Sequence, residues 1–413
     1  MRRLQRVLLL SPIGELGGAE RVLLDFIAST RAVMPDLAFR LVAFADGPLL
    51  AAVEQLGGTV SVLALPAQLH SLGDSALLTG KRWVRGARLV GSLARSVPSL
   101  LTFVLALRKE IIGAAPDIVH SNGVKAHFLG GLATPPGIPL VWHIHDFLGS
   151  RPFAGWMLRL ISRKARAAIA ISNAILQDTH RVLPSLRVIR ILNAVDVDEF
   201  SPGPGDGERL DALAAMTPAA KGTVRVGLVS TYARWKGQEN FIRAAARLRA
   251  SLPAIPLRFY VVGGPLYATS SSQFSAEELR ALITEHALGD IAGLVPFQAN
   301  LPPILRSLDV VVHASTRPEP FGRTVIEAMA CGRAVVVAGT GGVREVFRPG
   351  VTGISARPDD PEALAAAIER LVCSSELRSR LGHAAADHAR TAFTRVRLGP
   401  ALLDVYQSLL VAT

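Results

Sequence analysis

Two carboxylates stand eight positions apart in "EPFGRTVIE", Glu319 and Glu327, where an apolar run at 309–313 hands over to an alanine-rich helical pattern. A helix opening near Arg323 leaves the N–H groups of Arg323, Thr324 and Val325 without internal partners, and such an end attracts anions. A phosphate held there would bring an attached ribose within reach of Glu327, about one turn into the helix. Glu319 lies ahead of it on the turn that contains Phe321 and Gly322. It points to the ligand side, to bind a sugar hydroxyl or to offset developing positive charge. Acids at a helix start also favour the macrodipole. That accounts for Glu327, but not for a second acid ahead of Pro-Phe-Gly.

The elements that must position these groups alternate along the whole chain. Short runs rich in Val, Ile and Leu at 6–11, 39–44, 60–65, 117–120, 140–144, 168–171 and 188–192 are separated by longer helical patterns. The second half repeats the scheme with runs at 224–230, 257–262, 291–296, 309–313 and 334–338. Continuous apolar runs fit strands buried on both faces, hence parallel sheets covered by helices. The expected architecture is α/β, with two Rossmann-like domains facing across a cleft. A Pro- and Gly-dense stretch at 200–209 suggests the linker, giving domains of 1–200 and 201–395. An apolar-periodic helix in 396–413 could pack across either domain and is expected to pack back on the first.

At 413 residues the chain is long enough for two such domains. Its two cysteines, Cys331 and Cys373, form no spacing motif, so a reducing cytoplasm is the expected compartment. The opening "MRRLQRVLLLSPIGELGG" has an apolar core shorter than the roughly seven residues of the shortest signal-peptide core, and reads as a first buried strand. The formal charge is +12, and between Leu77 and Glu110 seven Lys/Arg face one acid. A second cluster, Arg151 to Arg166, carries five cations and no acid. Trp83, Val84, Leu89, Val90 and Leu93 interleave with the first cluster, which suits either anionic lipid headgroups or a solvated basic face. No helix-turn-helix, zinc or RNP pattern supports a nucleic-acid partner.

The segment around the two glutamates resembles the signature of the family 4 (group 1) glycosyltransferases, retaining enzymes of the GT-B fold. Other segments resemble the same family: "GGAER" at 17–21, "PDIVHSN", "VWHIHDF", "LNAVD", "WKGQENF" at 235–241, "VVGGP" at 261–265 and "GTGGVREV" at 339–346. The resemblance covers nearly the whole chain and is tightest over 224–353. It implies that Lys236 binds the donor diphosphate, Glu327 the ribose and Glu319 a hydroxyl of the transferred sugar. Gly17 and Gly18 would let a loop of the first domain approach phosphate and acceptor, and Gly263 would serve the same end in the second. His145 matches the strand-end histidine near the donor sugar, with His143 as the competing choice. The family places an arginine five residues before the lysine, where this chain has Thr231. Arg234 is the nearest substitute for that diphosphate contact.

The implied reaction moves a sugar from a nucleoside diphosphate sugar to an acceptor hydroxyl with retention, in cell-envelope polysaccharide or glycolipid synthesis. The leaving phosphate would itself take the acceptor proton. No cofactor and no metal is expected, since no Asp-x-Asp motif sits at a strand end. The acceptor would be a sugar or a lipid-linked glycan, met by a cytoplasmic protein in peripheral contact with the inner face of the membrane. Two alternatives stay open: a GT-B-fold epimerase or phosphorylase, and a nucleotide-sugar-binding protein without catalysis. A phosphorylase would need a pyridoxal phosphate lysine and an epimerase different acid pairs, and neither pattern is evident.

Overall fold

The computed structural model describes residues 3–69, 82–265 and 272–411, with side-chain surroundings given from 97 onward in the helix that begins at Arg82. The expected basic stretch therefore falls partly outside the described residues: Lys81 is not described, nor are the side chains of Arg82, Arg85, Arg88 and Arg95. The chain forms two compact units, residues 1–193 with 395–413, and residues 194–394.

The first unit holds a seven-stranded sheet in the order β3-β2-β1-β4-β5-β6-β7. Its strands are β1 (Arg6–Ser11), β2 (Ala38–Ala43), β3 (Thr59–Val62), β4 (Ile118–Asn122), β5 (Leu140–Ile144), β6 (Ala165–Ala170) and β7 (Val188–Arg190). Every pairing is parallel. β4 and β5 are buried at all five positions, which is why they read as continuous apolar runs rather than alternating ones. The crossovers include α1 (Gly18–Val33), α2 (Pro48–Gln55), α3 (Arg82–Ala114), α4 (Val124–Ala133), α5 (Pro152–Ile161) and α6 (Asn173–Val182). α3 packs on α4 and α4 on α5, forming one outer layer, while α1 packs on α2. Right-handed crossovers leading in opposite directions from β1 and from β4 put these layers on opposite faces of the sheet.

The second unit repeats the pattern with six parallel strands in the order β10-β9-β8-β11-β12-β13. These are β8 (Val224–Val229), β9 (Leu257–Gly263), β10 (Ala292–Pro296), β11 (Val310–His313), β12 (Ala334–Ala338) and β13 (Ile354–Ala356). β13 is an addition to the sequence reading: three residues on a sheet edge leave too short an apolar run to stand out. Helices α7 (Gly207–Leu213) through α13 (Ser375–Ala392) flank the sheet, α11 (Arg323–Ala330) following β11. Asp211 of α7 accepts from Tyr260 and pairs with Arg225 at 2.9 Å, tying that helix to β8 and β9.

The chain passes into the second unit at Ala194 rather than at 201. The Pro- and Gly-rich stretch is docked on that unit: Arg306 donates to the carbonyl of Ser201 at 2.8 Å, and Asp206 N–H donates to Ser307 Oγ at 2.8 Å. Gly205 lies so close that a Cβ there would sit 2.2 Å from the Arg306 carbonyl oxygen. The last helix, α14 (Leu398–Val411), belongs to the first unit and packs on α1. Gly399 makes this possible, its N–H reaching Ser29 Oγ at 2.7 Å where any side chain would strike the Ser29 backbone.

Candidate active site

In an open parallel sheet, ligands bind beyond the carboxyl ends of the strands where the strand order reverses. In the second unit that point lies between β8 and β11. A narrow recess is found there, lined by Ser230, Lys236, His313, Ser315, Thr324 and Val325 among others. Gly237, after the short turn that carries Lys236, has φ +81° and would place a Cβ 1.9 Å from the Ala314 carbonyl oxygen. Only glycine lets the two loops meet so closely. Thr316 N–H then donates to the Trp235 carbonyl at 2.8 Å, fastening the loops together.

Glu319 sits at the centre of the recess's polar contacts. Its backbone is stitched to the glycine turn after β12, donating to Thr340 O at 2.9 Å and accepting from Gly342 N–H at 2.8 Å. Its carboxylate, expected on the ligand side, is buried and accepts from Lys236 Nζ at 2.7 Å and Ser315 Oγ at 3.0 Å. His313 Nε2 lies 3.1 Å from the same oxygen, while His313 Nδ1 donates to the Ala338 carbonyl at 2.9 Å. Both the carbonyl and the carboxylate can only accept, so the two contacts are hydrogen bonds together when both ring nitrogens carry a proton, with Nε2 held toward Glu319. Burial would push the Glu319 carboxyl up, but Lys236 and the His313 hydrogen bond outweigh it and hold the group well below the usual carboxylate range. His313 and Ser315 are absent from the sequence reading, although the proximity of "HAS" to the glutamate turn was available as a signal.

α11 starts at Arg323 as expected, but the Val325 N–H is not left without a partner: it donates to the Gly322 carbonyl at 3.0 Å as the first turn tightens. Gly322 caps it with φ +95°, and Phe321 is buried beside it, edge-on to Phe393. Glu327 is buried and turned along its own helix, its Oε1 accepting from Arg323 Nε at 2.7 Å. Gly263 closes β9 against β8, where a Cβ would lie 1.9 Å from Ser230 O. Arg234 is engaged elsewhere. Its guanidinium pairs with Glu278 at 2.6 Å and lies 4.2 Å above the Phe274 ring. Glu278 in turn completes a capping box with Ser275.

In the first unit a second polar constellation stands at the carboxyl ends of β1, β4 and β5. Gly17 caps α1, and the Glu20 carboxylate folds back on it, so that a Cβ at Gly17 would lie 2.8 Å from Glu20 Oε2. Nothing crowds Gly18 within 4 Å. Asn122, at the end of β4, bridges Glu20 and His145: its Nδ2 donates to Glu20 Oε1 at 3.5 Å and its Oδ1 accepts from His145 Nε2 at 2.6 Å. This assigns the proton to His145 Nε2 and leaves Nδ1 as an acceptor. Burial, with His120 adding to it, lowers His145 to about 3, so the ring is neutral. Burial raises Glu20 to about 7, against the opposing N–H groups of Glu20 and Gly17 and with Asp146 nearby. His143 is fully buried, its ring 4.1 Å from that of His145 and edge-on to Phe26 and His120. Neither of its nitrogens finds a partner among the described residues.

Among the described residues no group of three or more His, Cys, Asp or Glu is arranged to hold a metal ion. In the Asp-x-Asp of the sequence, Asp196 Oδ1 accepts from the N–H of Asp198 at 3.1 Å, and Asp198 is exposed. No helix among the described residues is long and apolar enough to cross a membrane.

Two family models match successive parts of the chain: Glycosyltransferase Family 4 over residues 16–199 and Glycosyl transferases group 1 over residues 215–388. A D-inositol 3-phosphate glycosyltransferase from Salinispora tropica is 31% identical over 79% of this chain and 71% of its own length. The chain belongs to the group 1, family 4 glycosyltransferases. An alpha-maltose-1-phosphate synthase from Mycobacterium tuberculosis is 29% identical, covering 71% of this chain and 79% of its own. Among solved structures, Anabaena HepE in complex with UDP and glucose superposes with a TM-score of 0.77, at 26% identity, over 98% of this chain and 100% of that one. In this GT-B glycosyltransferase each sheet carries a polar cluster at the carboxyl ends of its strands.

Proposed function

We propose that this glycosyltransferase moves a hexosyl group from a nucleoside diphosphate sugar to an acceptor hydroxyl with retention of configuration. The convergence of Lys236, Glu319 and the N-terminus of α11 at the β8/β11 switch point carries the reading. In such a transfer the transition state resembles an oxocarbenium ion departing from a diphosphate, and the largest demand is for positive charge on the leaving group. Lys236 and the N-terminus of α11 would supply it without a metal. The 2.7 Å contact of Lys236 with Glu319 supports adjoining diphosphate and sugar positions, with Glu319 left to bind a sugar hydroxyl as the lysine turns to phosphate. Glu327 would hold the ribose, and Arg323 then shares that carboxylate with it. His145, neutral with a bare Nδ1, would accept a hydrogen bond from a donor-sugar hydroxyl. The leaving phosphate takes the acceptor proton.

Relatives named for inositol phosphate and maltose 1-phosphate, and a solved neighbour holding UDP and glucose, support a UDP-hexose-type donor and a polyol or sugar acceptor. A cell-envelope glycan or lipid-linked sugar, met at the inner face of the cytoplasmic membrane, is the acceptor this reading favours. A thermal-shift panel of nucleotide sugars, followed by NMR of the product anomer, tests it. Glu327→Ala should weaken nucleotide binding by about 1–3 kcal/mol, the loss of a charged hydrogen bond. Unchanged affinity in calorimetry removes the ribose role, and an inverted product removes retention.

A further inference from the structure

The outer layer of the first unit is polarised in a way the transfer reaction does not use. Along α3, Val97, Leu101, Leu105 and Ile112 follow one another at helical spacing and are 47%, 58%, 65% and 56% exposed. On α5, Trp156 and Leu160 are 57% and 64% exposed. From residue 97 to the end of α3 and throughout α4 and α5 there is a single acid, Glu110, and it pairs with Arg40 at 2.7 Å.

Cations stand at both ends of this layer: Lys125 and Arg151 lie at the starts of α4 and α5, where Arg151 pairs with Asp146 at 3.1 Å, and a second set lies at the other end. Arg108 and Lys109 stand near the end of α3, and Arg163, Lys164 and Arg166 follow α5. The last three border a recess of about 310 Å³ whose other wall is the turn of Pro135, Pro136 and Gly137. None of the three forms an ion pair with a described residue. Helices that connect parallel strands run back against them, so the ends of α3, α4 and α5 lie at the amino edge of the sheet. Gly17 and His145 lie at the opposite, carboxyl edge. The recess is therefore separate from the site described above.

We propose that the layer formed by α3, α4 and α5 docks on the surface of an anionic lipid bilayer. The exposed aliphatic stripe and Trp156 enter the headgroup region, and the Arg163–Lys164–Arg166 recess takes a lipid phosphate. Apolar side chains protruding between unpaired cations match that surface in both respects. A second copy of the chain meeting this face across a two-fold axis would set cations against cations. A nucleic acid would satisfy the cations but leave Leu101, Leu105 and Leu160 without a counterpart.

The test uses the full chain and vesicles of phosphatidylcholine, alone or mixed with phosphatidylglycerol. Wild-type protein should co-sediment with the mixed vesicles at low salt, be released by high salt and ignore phosphatidylcholine alone. Arg163→Gln/Lys164→Gln/Arg166→Gln should lower vesicle partitioning by at least about tenfold, since each cation near an anionic leaflet contributes about fivefold. Trp156→Ser/Leu160→Ser should lower it several-fold and persist in high salt as the difference between variants. The tryptophan emission of wild type should shift to the blue on anionic vesicles, and Trp156→Phe should lose that shift. All substituted side chains are exposed, and unchanged unfolding temperatures will confirm that the variants fold. Nucleotide affinity in the second unit is measured alongside, so a failed donor assignment and a failed membrane assignment are told apart. Absence of vesicle binding by wild type, wild-type binding by both variants, tighter binding to an oligonucleotide through the same residues, or a dimer dissolved by Trp156→Ser would each overturn the proposal.

Discussion

Replacing His143 by leucine should make the protein more stable, and increasingly so in acid. The imidazole is fully buried with both nitrogens unpartnered among the described residues, and an unsatisfied buried polar group costs about 1–3 kcal/mol. Leucine has nearly the same volume, so little packing is lost. Burial, with the neighbouring His145, His120 and His127, lowers the His143 value well below 6.5. The unfolded chain therefore binds a proton below pH 6.5 that the folded ring refuses, and stability falls as pH drops through that value. A ring that stays neutral to pH 5 forfeits about 2 kcal/mol there, at 1.36 kcal/mol per pH unit. The advantage of His143→Leu should thus grow from about 2 kcal/mol at pH 7 to about 4 kcal/mol at pH 5. Hydrogen exchange on peptides covering β4 and β5 reads the first unit apart from the second. A variant less stable than wild type at pH 7, or an advantage that stays flat on acidification, would refute the reasoning.

The opposite slope belongs to Glu20. Its raised value, about 7 against 4.5, means that the folded state keeps a proton the unfolded chain releases, so stability falls as pH rises from 4.5 to 7. Glu20→Gln should recover up to about 3 kcal/mol at pH 8 and nothing near pH 4, measured by the same exchange peptides. Lys236→Met should cost the second unit about 3 kcal/mol at pH 7 by stranding the Glu319 carboxylate, and adding Glu319→Gln should restore most of it in urea unfolding. Failure of the second substitution to rescue would dissolve the pair as an energetic unit. Gly237→Ala, at φ +81° and against the Ala314 carbonyl, should lower the melting temperature of the second unit by at least the equivalent of about 1–3 kcal/mol. An unchanged melting temperature would mean that the two loops are not in contact in solution.

Most strands were legible because burial on both faces forces unbroken apolar runs, and β1, β5 and β12 begin and end where those runs do. β13 was not, being three residues on an edge. The spacing of Glu319 and Glu327 pointed correctly to a strand–helix junction, but it did not reveal what each carboxylate touches. Lys236 meets Glu319 across 83 positions of sequence, and that encounter depends on Gly237 lying against β11. The capture of Arg234 by Glu278 was not legible, since that side chain also serves the Ser275 N–H at the start of its own helix. Proline and glycine at 200–209 read as a tether because composition reports turns, not the Arg306 side chain that binds them. That His145 rather than His143 stands beside Asn122 was likewise not legible, since both follow the same apolar run.

The placement of α14 bears on how the protein is made. Tyr406 is wholly buried, its hydroxyl 2.7 Å from His120 Nδ1 on β4, so part of the first unit's interior is contributed by a segment that follows the entire second unit. On the ribosome, β1 to β7 emerge with α1 still uncovered, and residues 194–394 leave the exit tunnel before α14 can close over it. The first unit to be synthesised is then the last to finish folding. In the interval its exposed α1 face is the natural client surface for a chaperone, and slowing translation after residue 394 should prolong that capture.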